Sequence, residues 1–231
     1  MLAMPEKPFI QTATTDRKMT RLIGDVHGKY GPYKTILKES PYPTIQVGDM
    51  GVGFFRWPHG NAVTNPPYDL MVEKDARFIR GNHDNPKVCS QHKRWIPDGT
   101  IEGDVMFIGG AVSIDRVYRV EGFSWWRDEE LSTEELNQLV DKYIQVKPRI
   151  MITHECPELI ANEVYRTIPT VGNGHTKLED HSRTRQAFQS MWSAHSPELW
   201  VFGHWHVPFD HTLNGTRFKC LPELETFDVE L

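Results

Sequence analysis

The chain has 231 residues, 39% apolar and 25% charged, which is enough for one large domain with a buried core. Its net charge of −5, from 31 acidic and 26 basic residues, gives no support to duplex nucleic-acid binding, although a small basic groove stays open. No apolar run approaches the roughly 20 residues that span a bilayer, and the opening "MLAMPEKPFIQTATTDRK" lacks the positive start and apolar stretch of a secretory signal, so no membrane partner and a cytoplasmic location are expected. The cysteines, Cys89, Cys156 and Cys220, are odd in number and far apart, and predict neither a disulfide framework nor a zinc-type pair.

In chain order, residues 1–19 are polar and read as an arm, leaving 20–231 as a single domain. "RLIGD" (21–25) is a short apolar run that closes on Gly-Asp. Residues 33–40 carry a helical pattern. "TIQVGD" (44–49) is a second such run, and 51–68, with its "NPPY", reads as a surface loop. "ARFIRGN" (76–82) is a third run, ending in Gly-Asn. Residues 132–146 predict a helix opened by a capping box, Ser132 with Glu135, with Leu136, Leu139, Val140, Tyr143 and Ile144 at helical spacing. "RIMITH" (149–154) is the fourth run. A second surface loop is expected over 164–181, then a helix over 182–195 with Phe188, Met191 and Trp192 on one face. "LWVFGH" (199–204) is the fifth run. A hairpin follows in "FDHTLNGTRFKCL", with Asn214-Gly215 as a type I′ turn. Strand–helix alternation of this kind predicts an α/β core.

Each of the five apolar runs ends in a side chain able to bind a metal: Asp25, Asp49, Asn82, His154 and His204. His27 and His206 follow two residues after such an end. Ligands of α/β sheets gather at the carboxyl ends of the strands, so convergence of the runs would bring these side chains together. Glycine stands directly before four of them (Gly24, Gly48, Gly81 and Gly203), as close backbone approach requires. A lone Gly-Asp is more often a turn, but five placements in one order point to a metal site. A His/Asp/Asn set without thiolate suits borderline or harder divalent ions such as Mn²⁺, Fe²⁺ or Zn²⁺, and Mn²⁺ is the expected metal, with Fe, Zn or Ni as alternatives. Such a set exceeds one tetrahedral zinc and fits two divalent metal ions sharing a carboxylate, able to clamp a phosphate and acidify a water.

The ordered blocks "GDVHG" (24–28), "GDMG" (48–51), "GNHD" (81–84), "THE" (153–155) and "GHWH" (203–206) resemble the calcineurin-like metallophosphoesterase superfamily, over about residues 20–210. The resemblance implies two mixed β-sheets packed as a sandwich and flanked by helices, a four-layer α/β/β/α fold. It implies Asp25, His27 and His206 on the first metal, Asn82, His154 and His204 on the second, and Asp49 bridging both. His83 would face the scissile phosphate and stabilise or protonate the leaving group. The implied reaction is hydrolysis of a phosphomonoester or phosphodiester of a nucleotide or small molecule, by in-line attack of a metal-bridging hydroxide without a phosphoenzyme. Protein Ser/Thr phosphatases of the superfamily carry a further Asp and Arg after the bridging Asp. Here "GDMGVGFFR" has neither in place, which leaves the partner of His83 and a phosphate-gripping arginine unassigned. Protein phosphatase and nuclease stand as alternatives. A non-catalytic metal-binding scaffold is a third, disfavoured by the complete ligand set. "GGAVSIDRVYR" (109–119) and "SWWRDEE" (124–130) also resemble small bacterial and bacteriophage enzymes, which implies a bacterial cell or a phage-infected host.

Weaker signals complete the sequence. Arg183 and Arg185 could reach a phosphate oxygen, and His181 could sit over the site from the same loop. A solvated helix start explains Arg183 and Arg185 as well. Trp125 and Trp126 could stack on a base, but tryptophan pairs are more often core or rim packing. Asp115 is expected to pair with Arg116. His59, His92, His175, His195 and His211 read as structural or surface residues.

Overall fold

The computed structural model describes residues 17–54, 65–168 and 181–231. The five apolar runs are strands: β1 (Met19–Ile23), β2 (Thr44–Val47), β3 (Ala76–Ile79), β6 (Ile150–Thr153) and β7 (Leu199–Phe202). Five more strands complete the sheets: β4 (Thr100–Glu102), β5 (Val105–Ile108), β8 (Phe209–Leu213), β9 (Thr216–Cys220) and β10 (Thr226–Glu230). One sheet has the order β10-β1-β2-β3, the other β4-β5-β6-β7-β9-β8, and each mixes parallel and antiparallel pairs. β1 already pairs with β10 at Met19↔Glu230, so the first strand starts inside the stretch expected as an arm.

The central strands β5, β6 and β7 are buried along their whole length and almost wholly apolar because both their faces are covered. Successive residues point to opposite sides of a sheet. Val105, Phe107, Ile150, Ile152, Leu199 and Val201 therefore meet Leu22, Ile45, Val47 and Ile79 between the sheets. Their neighbours Met106, Ile108, Met151, Trp200 and Phe202 point outward, onto Tyr143, Ile160, Phe188, Met191 and Trp192 of the helices α4 (Thr133–Val146), α5 (Glu158–Thr167) and α6 (Arg183–Ala194). On the far side, Ile23, Ala76 and Phe78 pack with Tyr33 and Leu37 of α1 (Tyr30–Glu39), Met71 of α2 (Tyr68–Glu73) and Cys89 of α3 (Pro86–Cys89). The result is the four-layer α/β/β/α sandwich. Trp200 is fully buried and donates its indole N–H to Thr153 Oγ1 at 2.8 Å. Truncating such a side chain to alanine costs about 3–5 kcal/mol.

Local signals account for several boundaries. α4 has the full capping box: the amide of Glu135 donates to Ser132 Oγ, and the amide of Ser132 donates to Glu135 Oε2. Asn214 and Gly215 both have positive φ, +48° and +82°, as a type I′ turn requires. α1 begins three residues before the expected start. α5 runs to Thr167, so residues 164–167 are helix rather than loop. The rest of the two expected loops, including His59 and His175, lies largely outside the described residues. His92 stacks on Tyr68 and His195 binds the carbonyl of Pro148, both structural roles. Among the described residues, no helix is long and apolar enough to cross a membrane.

Candidate metal centre

β1, β2 and β3 run parallel in one sheet and β6 and β7 run parallel in the other, so their carboxyl ends meet at one edge of the sandwich. Asp25, Asp49, Asn82, His154 and His204 leave the strands there. Ligand atoms of Asp25, His27, Asp49 and His206 lie within 4.8 Å of one another, and those of Asp49, His154 and His204 form a second such group. Asp49 belongs to both. His206 Nε2 is 2.9 Å from Asp25 Oδ2, and His27 Nε2 is 3.6 Å from one oxygen each of Asp25 and Asp49. In the second group, His154 Nε2 is 3.3 Å from Asp49 Oδ1 and 3.1 Å from Asn82 Oδ1. The seven ligands expected at the strand ends therefore converge on one place.

Their orientation is set from behind. His154 Nδ1 is held at 2.9 Å from the carbonyl of Val47, which fixes the proton on Nδ1 and leaves Nε2 to face the centre. Asn82 donates from Nδ2 to Ser113 Oγ at 3.0 Å, so its Oδ1 is the atom turned inward. Ser113 is itself gripped by Glu129, through its amide at 2.8 Å and its hydroxyl at 2.6 Å. Asp84, wholly buried, accepts the amides of Met50, Gly51, Val52 and Gly81, and so ties the loop after β2 to the loop after β3. The sequence marks Asp84 only as the last letter of "GNHD".

The backbone is strained where the candidate ligands sit. His27, Asp49, His204 and His206 have φ between +48° and +68°, the left-handed region, which costs on the order of 1 kcal/mol for a residue with a side chain. The preceding glycines are steric necessities. A Cβ on Gly81 would lie 2.0 Å from Asp49 Oδ1, and one on Gly203 would lie 2.2 Å from Asp25 Oδ1.

The donor set fits divalent cations. Asp25 and Asp49 are buried, which raises their pKa, but hydrogen bonds from His206 and His27 bring Asp25 down to about 2, and the charge of His154 holds Asp49 well below the carboxylate range. Both are ionised at neutral pH, and their ion-pair partners among the described residues are histidines. Burial lowers the pKa of His154, yet Asp49 pulls it up to about 10, the mark of a site that attracts positive charge. Burial, with the nearby His154 charge, drops His204 to about 3, leaving a neutral imidazole ready to ligate. His27 Nε2 and His206 Nε2 face each other at 2.8 Å beside Asp25. Two imidazole nitrogens aimed at one carboxylate form a cradle for a cation.

The centre floors a cavity of about 350 Å³ whose walls include Ile114, Tyr165, Ile168 and Trp205. His83 lies in it, with its amide 2.7 Å from Asp49 Oδ1 and its ring edge-on to His27. Burial lowers its pKa to about 4, with Arg119 adding to the effect, so the ring is neutral. The His83 ring is hydrogen-bonded to Arg119, whose Nη2 is 2.9 Å from His83 Nε2. Asp115 pairs with Arg119 and not with the exposed Arg116, because the turn Arg116–Tyr118 carries the chain back over Asp115. A larger cleft of about 440 Å³, lined in part by Thr44, Arg77 and Asp104, lies at the opposite strand ends, away from the ligands.

The other expected contacts fall as follows. Arg183 donates to the carbonyls of Leu131 and Glu130 and does not line the cavity, and His181 is exposed outside it. Arg185 lines the cavity, with Nε 3.1 Å from Glu158 and Nη1 3.7 Å from the buried Glu155. Trp126 is buried against Phe54, a packing role. Arg80 is spent on Asp98 and on the carbonyls of Asp128 and Glu129.

The model of the calcineurin-like phosphoesterase family matches residues 21–208. No curated protein matches the chain. Among solved structures, the fold is similar to a Staphylococcus aureus protein provisionally named as a 5'-nucleotidase, in complex with alpha-ketoglutarate, at 12% identity and a TM-score of 0.52. The match covers 90% of this chain and 49% of that one, so the chain spans about half the length of that protein. GAP50, the anchor in the inner membrane complex of Plasmodium, matches at 10% identity and a TM-score of 0.48, over 89% of this chain and 72% of its own. These identities compare folds alone. The family match takes in all five ligand blocks, and the chain belongs to the calcineurin-like phosphoesterase family.

Proposed function

We propose that the chain hydrolyses phosphate esters of small organic molecules, nucleotides among them, with two divalent metal ions, Mn²⁺ first. The observation that carries this is Asp49, common to two ligand groups on the floor of one cavity. In this assignment Asp25, His27 and His206 would hold one ion, Asn82, His154 and His204 would hold the other, and Asp49 would be shared between them. When bound, the ions supply an acidified water and a Lewis-acid clamp on phosphate oxygens. The protein's own part is orientation. Val47, Ser113 and Asp84 hold the ligands in place, and His83 stands beside Asp49 to contact the ester. The apolar walls favour a small ester, which they can shield from water, over a phosphoprotein surface or a nucleic-acid duplex. The resemblance of residues 109–119 and 124–130 to small bacterial and phage enzymes supports such an origin, and residues 20–231 are taken as one catalytic domain.

The test is hydrolysis of p-nitrophenyl phosphate and bis(p-nitrophenyl) phosphate with Mn²⁺, followed by a panel of nucleotides and other phosphate esters. Activity of the wild type that an Asp49→Asn variant loses supports the proposal. Equal background turnover by both proteins sinks it.

A further inference from the structure

Two arginines from outside the ligand blocks line the cavity, Arg119 and Arg185, and Arg119 is the one in contact with His83. Arg119 comes from the turn after β5, outside every ligand block, and lines the cavity beside Asp49, Asn82 and His83. It is mostly buried and held on three sides. Asp115 binds Nε and Nη2, the latter at 2.7 Å. His83 Nε2 lies 2.9 Å from Nη2, and Phe54 lies 5.3 Å beneath the guanidinium carbon. Phe54 also stacks on the His83 ring at 4.8 Å and 11°, so one aromatic plate supports both groups. Arginine has donors only, so His83 Nε2 accepts this bond.

A guanidinium has five N–H groups. Asp115 and His83 take the one on Nε and the two on Nη2. Among the described residues Nη1 has a single long contact, 3.4 Å, to the carbonyl of Ser124, which leaves donor capacity on the cavity wall. Arg185, the other arginine lining the cavity, is engaged by Glu155 and Glu158 next to His204. A phosphomonoester presents three non-bridging oxygens, and the floor of the cavity offers mainly carboxylates and imidazoles. A planar, permanently charged fork fixed by a carboxylate matches phosphate geometry.

We propose that Arg119, braced by Asp115 and Phe54, binds the phosphoryl oxygens of the substrate directly and holds His83 in register beside them. This rests on the phosphoesterase function proposed above but is tested apart from it. The probe is inorganic phosphate, titrated calorimetrically into the Mn²⁺-loaded protein. Arg119→Ala should weaken phosphate binding by about 10- to 100-fold, the range of one charge-assisted hydrogen bond, with the metal content unchanged. Arg119→Lys should fall between the two, and added guanidinium should restore part of the affinity to Arg119→Ala. The loss should persist when His83 is also alanine.

Unchanged phosphate affinity in Arg119→Ala overturns the proposal, as does a wild type that takes up metal but no phosphate. A loss that vanishes in the His83→Ala background also overturns it, since Arg119 would then act only through the histidine. A wild type that binds phosphate through Arg119 but hydrolyses no ester removes the proposed function and leaves the role of Arg119 standing.

Discussion

Asp84 offers the sharpest test of how the centre is built. Its Oδ1 accepts the amides of Gly51 and Val52 at 2.7 and 2.8 Å, and its Oδ2 those of Met50 and Gly81 at 3.1 and 2.8 Å. Asp84→Asn keeps the shape but replaces one oxygen by an NH₂ group. Whichever way the amide turns, two buried backbone donors lose their acceptor and face another donor. At about 1–3 kcal/mol for each unsatisfied donor, the loss is about 2–6 kcal/mol. One effect opposes it. Burial and then the neighbouring charge of Asp49 push the Asp84 pKa up, so removing the charge relieves some repulsion. Four well-placed donors outweigh that relief. For a domain of this size the Tm should fall by roughly 4–24 °C, and Asp84→Ala, which abandons all four donors, should fall further. Melting followed by circular dichroism, in chelator and in Mn²⁺, reads the loss, and metal content reads its effect on the loops that carry Asp49 and Asn82. An Asp84→Asn protein that melts with the wild type in chelator would refute this account of the two loops.

Other outcomes follow from the same geometry. His206→Ala and His204→Ala should each leave one metal per chain by elemental analysis, since the two side chains belong to different ligand groups, and loss of both ions from either variant would speak against separate sites. Gly81→Ala places a methyl group 2.0 Å from Asp49 Oδ1 and should abolish metal uptake, although the strand before it can still form. Wild-type metal content in that variant would show that the glycine is dispensable. Far from the centre, the hydrogen bond from Arg217, with help from Lys219, lowers the Asp210 pKa from 3.8 to about 2. A depressed carboxylate stabilises the fold above its unfolded pKa and loses that contribution as pH falls through the folded value. The Tm gap between wild type and Asp210→Asn should therefore be small at neutral pH and close between pH 4 and 2. A gap that widens in acid would contradict the sign.

The sequence discloses the strands that carry ligands because burial gives each a short, mostly apolar run, ended in four of the five by a glycine and a polar side chain and in β6 by Thr153-His154. β5 is equally apolar, Val105–Ile108, but ends in Gly-Gly and leaves no chemical mark. α5 is hidden because Pro157 stands at its cap position and no side chain caps it. Asp49 in two ligand groups is legible from the blocks. Arg119 is not, since its place depends on a short turn folding "DRVYR" back on itself, and sequence proximity instead suggests Arg116 as the partner of Asp115. Arg183 is readable as a charge near a helix start but not as a donor to carbonyls 52 and 53 residues away. Long-range contacts of that kind have no signature in local pattern.

The left-handed backbone at His27, Asp49, His204 and His206 has a consequence for how this centre can change over generations. Those conformations admit glycine freely, tolerate asparagine, aspartate and histidine, and reject valine, isoleucine and threonine. The chain therefore restricts its own ligand alphabet before any ion arrives. A lineage that abandoned metal chemistry would still keep Asn, Asp, His or Gly at these four positions, because the turn and not only the ion selects them. Such a descendant would look like a metalloenzyme in its motifs long after it had ceased to be one, and Ser113 and Arg119, which serve the site more than the backbone, would drift before Asp84, whose four amides the fold itself needs.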